Sequence, residues 1–101
     1  MARIAIHPGE QLKDELDEIG LSASALARQL DIPPNRLTEI IAGERSITAE
    51  TAVLLGHWFG TSPAFWLNLQ TAYDLRIAEQ ALGKTLRKLP TLKRVDGRLT
   101  A

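Results

Sequence analysis

Two histidines and a run of carboxylates are the side chains here whose chemistry could serve catalysis or metal binding. His7 precedes Pro8-Gly9, and His57 stands beside Trp58; an imidazole in either place could move a proton or hold a metal. Neither has the companions such work needs. The chain has no Cys, no Ser sits at nucleophile spacing, and no carboxylate and His form a ligand set. Asp14, Glu15, Asp17 and Glu18 crowd one stretch, but without the glycine and alternating spacing of a calcium loop they read as a solvated helix face. No glycine-rich loop is present to cradle a phosphate. The expectation is a protein that is not an enzyme, with no catalytic residue, metal or cofactor.

Composition narrows the class. The 101 residues are 45% apolar, with 12 basic and 12 acidic side chains, and a chain of this size buries one core. Absence of Cys suits a reducing compartment. No apolar run is long enough for a signal peptide or a membrane span, so the expected location is cytoplasmic. The zero net charge conceals an asymmetry. Residues 1–83 hold 6 basic against 11 acidic side chains, a net −5, and residues 84–101 hold 6 against 1, a net +5. An acidic body argues against indiscriminate coating of nucleic acid, so any DNA contact must come from a local basic surface or from the tail.

Turn residues at Pro8-Gly9, Gly20, Asp31-Ile32-Pro33-Pro34, Gly43, Gly60 and Gly83 cut the chain into segments of helical period. No segment alternates for long enough to make a convincing strand, and the expected fold is all-α with five helices. The first runs from Pro8 to Ile19, with Leu12, Leu16 and Ile19 inward and Gly20 ending it. Ser22 caps a second, through Leu30, which buries Ala23, Leu26, Ala27 and Leu30. Pro33-Pro34 opens a third carrying Leu37, Ile40 and Ile41. Thr48 caps a fourth through about Phe59, with Ala52, Val53, Leu55 and Phe59 inward. Ser62-Pro63 opens a fifth that continues to about Leu82. This last helix is apolar on two sides: Phe65, Trp66, Leu69, Ala72, Tyr73 and Ile77 on one, Leu67, Leu75, Ala78, Ala81 and Leu82 on the other. Two such sides need two things to pack against, the second being another subunit. Residues 84–101 are expected to form a loosely ordered basic arm beyond a domain spanning 1–83.

Two short helices joined by the tight turn Leu30-Asp31-Ile32, with small Ala27 at the crossing and Leu37 buried, have the spacing of a helix-turn-helix. Asp31 occupies the turn position that needs a left-handed backbone, which Asp tolerates better than most residues. A plain helical hairpin is the alternative.

The sequence resembles the HigA antitoxins, also known as virulence-associated protein I, within the XRE or Cro/C1-type helix-turn-helix proteins. The motifs are His7-Pro8-Gly9-Glu10, Leu21-Ser22, Leu26-Ala27, Asn35 to Ile41, Gly43 to Thr48, and above all Thr61 to Gln70 followed by Tyr73-Asp74-Leu75. They cover residues 6 to about 80. The resemblance implies a repressor that binds palindromic double-stranded operator DNA as a homodimer and neutralises a RelE/HigB-like ribonuclease toxin. It further implies that the third helix reads DNA, with Asn35, Thr38 and Glu39 facing base edges and Pro34 at the reading end. Arg36, Ser22, Ala23 and Ser24 would face phosphates, with Arg28, Arg45 and Arg3 adding backbone charge.

The chemistry agrees: Asn pairs with adenine at two points, Glu accepts from a cytosine amine, and Arg neutralises phosphate or reads guanine. Two departures from the family pattern stand out. Ala23 replaces a polar residue that reaches the backbone in relatives, and Pro33-Pro34 replace polar residues where proline can touch a thymine methyl but cannot donate. Leu67, Leu75, Ala78 and Leu82 are the expected dimer seam. Trp66 is assigned both to the lid of the core and to that seam. An XRE regulator without a toxin, and a toxin-binding protein whose DNA affinity has decayed, are the competing readings. No toxin-contacting residue is assigned.

Overall fold

The computed structural model describes residues 6–95 and 98–100. Five helices form the body: α1 (Pro8–Ile19), α2 (Ala23–Leu30), α3 (Pro34–Ile41), α4 (Ala49–Phe59) and α5 (Pro63–Lys88). Each start has a local cause. His7 caps α1, its Nδ1 accepting from the Gly9 N–H at 2.9 Å while Glu10 Oε2 accepts from the His7 N–H at 3.3 Å. Ser22, Thr48 and Ser62 cap α2, α4 and α5 with their hydroxyl oxygens, and proline opens α1, α3 and α5. Asp31 ends α2 at φ 58°, ψ 44°, alone among the described non-glycine residues at positive φ.

Leu12, Leu16, Leu26, Ala27, Leu37, Ile40, Ile47, Ala52, Leu55 and Trp66 form the core. α3 and α5 pack on α1, α2 on α3, and α4 on α5. Gly9 is required for the first of these contacts. A Cβ there would lie 1.9 Å from the Ile40 carbonyl oxygen, so the start of α1 can approach the end of α3 only without a side chain.

Several expected inward positions face water. Ile19, at the last position of α1, is exposed, and Leu21 past the turn packs on the core instead. Val53 is exposed because the buried side of α4 is Thr51, Ala52, Leu55 and Gly56, roughly 130° around the helix. Phe65 is exposed at the start of α5, just ahead of buried Trp66, and Ala72 and Ile77 are exposed farther along, where the core stripe outruns the body. The fifth helix also passes through Gly83 to Lys88. Pro90 ends it, holding Leu89 extended at φ −88°, ψ 143°.

Two three-residue strands follow, β1 (Lys93–Val95) and β2 (Arg98–Thr100), paired antiparallel with Lys93 opposite Thr100. They are too short to show an alternating pattern. Among the described residues no helix is long and apolar enough to cross a membrane.

Candidate nucleic-acid interface

α2 and α3 make a tight corner. The Ile32 N–H donates to the Ala27 carbonyl at 3.0 Å, closing the turn that Asp31 makes possible. Leu26 and Ala27 of α2 and Leu37 and Ile40 of α3 are buried between them. Burial of Leu37 and Ile40 fixes what α3 shows: Asn35, Thr38 and Glu39 fall in a sector of about 100° on the far side, beside Arg36. Pro34, Asn35 and Thr38 are exposed, as are Ser22 and Arg28 of the preceding helix, while Ala23 and Ser24 are half-buried. Arg3 lies outside the described residues.

The polar groups of this face are joined to one another. Arg45 donates to Glu39 Oε1 through Nε at 2.9 Å, with Nη2 2.7 Å from the same oxygen, and Asn35 Nδ2 donates to Glu39 Oε2 at 3.4 Å. Arg36 Nη1 donates to Glu50 Oε1 at 2.8 Å. Arg36, Arg45, Ser46, Thr48, Glu50 and Thr51 line a shallow hollow between α3 and the start of α4. Glu50 carries no signal in the sequence, where it is one acid in a helix's first turn.

Gln70 is a second residue of the site whose part is set by the tertiary structure. It is 5% exposed, its Oε1 accepts from the Ile47 N–H at 2.7 Å, and its Nε2 donates to Asp74 Oδ1 at 2.9 Å. That bond ties the segment carrying Arg45 to α5 and so sets its height against α3. A glutamine one turn after buried Trp66, on the same face, was the available signal. His7 packs on the same part of α5, its ring meeting Tyr73 edge-on at 4.8 Å. Burial pushes its pKa below the usual 6.5 against the opposing pull of Asp74 and Glu10.

On the opposite side of α5 from Trp66 and Gln70, Leu75 (58%) and Leu82 (47%) are exposed with Ala78, and Leu67 is half-buried against the core. Because the helix continues, Leu86 and Leu89 extend the same stripe; both are exposed. Trp66 must be withdrawn from this surface. It is 1% exposed, enclosed beside Phe59 and Phe65, and has nothing to offer a partner.

Residues 12–66 match the model of the helix-turn-helix family HTH_3. Virulence-associated protein I of Dichelobacter nodosus is 54% identical over 77 residues, 75% of this chain and 71% of that one. An addiction module antidote protein of a HigA family from Coxiella burnetii shares the fold at TM-score 0.86 and 50% identity, over 90% of this chain and 100% of that one. Pseudomonas aeruginosa antitoxin HigA, solved with the higBA promoter, gives 0.83 at 42% identity over 87% and 97%. The chain belongs to the XRE-type helix-turn-helix family, on its HigA antitoxin branch, whose members are DNA-binding regulators and not enzymes.

Proposed function

We propose that the protein is a dimeric autorepressor that binds its own operator and is the antitoxin of a type II pair, neutralising a RelE/HigB-like ribonuclease. The observation that carries the DNA half is the outward sector of α3: Asn35, Thr38 and Glu39 stand together on a helix held by buried Leu37 and Ile40, with Arg36 and Arg45 at its edges. Asn35 suits adenine, Glu39 a cytosine amine, and Pro34 a thymine methyl. Ser22 and Ser24 at the start of α2, with Arg28, Arg36 and Arg45, suit phosphates, whereas Ala23 has only its backbone N–H to offer one. The similar HigA of Pseudomonas aeruginosa was solved with promoter DNA, which supports the same use here.

The stripe Leu67, Leu75, Ala78 and Leu82, continued by Leu86 and Leu89, is the dimer seam in this reading. A twofold dimer sets two copies of α3 about one DNA turn apart, ~34 Å, and so selects a palindrome and blocks the promoter. Likeness to an addiction module antidote protein supports the antitoxin half, and the exposed acids of α1 suit a basic toxin. The test is a gel shift on the DNA upstream of the gene, with and without the co-purified product of the neighbouring gene. Selective retardation and a stable protein complex are expected. Equal retardation of scrambled DNA refutes the operator half, and absence of a complex refutes the antitoxin half.

A further inference from the structure

Both arginines flanking the outward face of α3 are engaged by carboxylates of the same chain, but the two pairs differ in what the carboxylate can do instead. Glu50, in the first turn of α4 with 72% of its side chain exposed, holds Arg36 from outside the reading sector. Glu39 lies inside that sector, one turn after Asn35, and its two oxygens are divided between Arg45 and Asn35. A carboxylate there can accept from a base amine in a major groove. Turning toward the base takes it off Arg45.

We propose that the Glu39–Arg45 pair couples base reading to backbone anchoring, and so is a specificity device for DNA. This rests on the reading of α3 as the DNA-reading helix. On DNA that presents a base amino group at the position Glu39 reaches, Glu39 moves to the base and Arg45 is released to the adjacent phosphate. On other DNA, Glu39 stays on Arg45, and that phosphate contact is not made. Non-cognate sequence therefore loses a base contact and an ion pair together, a penalty directed against wrong partners. Glu50 supplies the unconditional counterpart, since phosphate must displace it from Arg36 whatever the sequence, which weakens all DNA binding alike. A body with net charge −5 through Gly83 depends on such local cations for any DNA affinity, so control over two of them is control over binding.

The test titrates full-length wild type, E39Q, R45A, the E39Q/R45A double variant and E50Q on operator duplex and on a scrambled duplex of equal length, across a range of salt. Circular dichroism melts check that each variant is folded. E39Q keeps the side chain's shape while removing its charge. It is expected to bind scrambled DNA about fivefold more tightly, the upper end for an exposed ion pair, with no gain on the operator. Its salt slope on scrambled DNA steepens by about 0.9, one added phosphate contact. In the R45A background the gain disappears, and E50Q tightens both duplexes by one common factor. Equal tightening of both duplexes by E39Q, or a gain that survives R45A, means that Glu39 only repels DNA, and the coupling is overturned. Unchanged binding of E39Q to scrambled DNA overturns it too. A wild type that does not separate operator from scrambled duplex refutes the DNA reading of α3 and this inference with it.

Discussion

His7 illustrates how one side chain can carry a pH dependence. Its Nδ1 accepts from the Gly9 N–H, so the cap exists only while that nitrogen is unprotonated, and burial lowers its pKa from 6.5. The unfolded chain therefore binds a proton more readily than the folded one. Stability from this site is complete above about pH 6.5 and declines as pH falls through the lower folded value. Urea unfolding between about pH 7.5 and about pH 5 should show that decline in wild type. His7→Asn, which keeps an oxygen acceptor at the cap, should flatten it.

On the proposed reading face of α3 the expected contrast is between base and backbone contacts. Asn35→Ala should cost about 1–3 kcal/mol on operator DNA and little on random DNA, whereas Arg36→Ala should weaken both. Fluorescence anisotropy on the two duplexes measures the difference, and equal losses for Asn35→Ala would remove it from base reading. The sequence showed that these residues share a helix. It could not show that Glu39 and Arg45, six positions apart, or Arg36 and Glu50, fourteen apart, would meet, because those pairings depend on how the chain turns between α3 and α4.

Among the described helices, α5 carries most of the exposed large apolar side chains: Phe65, Leu75, Ile77, Leu82 and Leu86. Its 26 residues span about 39 Å, and the body covers only the first half. Leu75 and Leu82 stand seven residues apart on the side away from the core, so paired changes to Glu should leave helicity and the melting of the body largely intact while turning the proposed dimer into a monomer. Light scattering with circular dichroism reads both. A dimer that persists places the seam elsewhere.

The two-sided pattern of this helix was legible in the sequence, but its end was not. Gly83 looked like a stop because glycine costs about 1 kcal/mol inside a helix. Pro90 proved the stronger signal, since it constrains the residue before it to extended backbone. The stripe itself runs past Gly83 in the sequence, to Leu86 and Leu89.

At the scale of the molecule, the radius of gyration is 18.2 Å and the dimensions are 55 × 27 × 23 Å, where a compact chain of this length would have a radius of about 13 Å. The elongation accompanies a separation of charge, with the excess of basic residues following Gly83. Removing the chain after Leu89 spares the whole of α5 and isolates the contribution of the last basic residues. Operator affinity should fall, and the slope of log affinity against log salt should flatten by about 0.9 for each phosphate they had neutralised, while capture of the proposed toxin persists. An unchanged slope with lost capture would assign this segment to the toxin instead.

What the sequence determined by itself was local. The caps at Ser22, Thr48 and Ser62, the left-handed turn at Asp31 and the helical period of each segment depend on groups within four residues of one another, and the observed helices begin where those signals stand. The tertiary structure decided which of the marked faces found cover. Val53 and Leu55 are equally apolar, yet only Leu55 is buried. Trp66 looked fit for either the core or an interface, and the packing of α4 on α5 enclosed it. Gln70 entered the core because the Ile47 N–H, 23 residues earlier in the chain, needed an acceptor there. Periodicity specifies the direction a side chain takes from its own helix axis, whereas burial and pairing depend on where the other helices lie, which no single segment encodes.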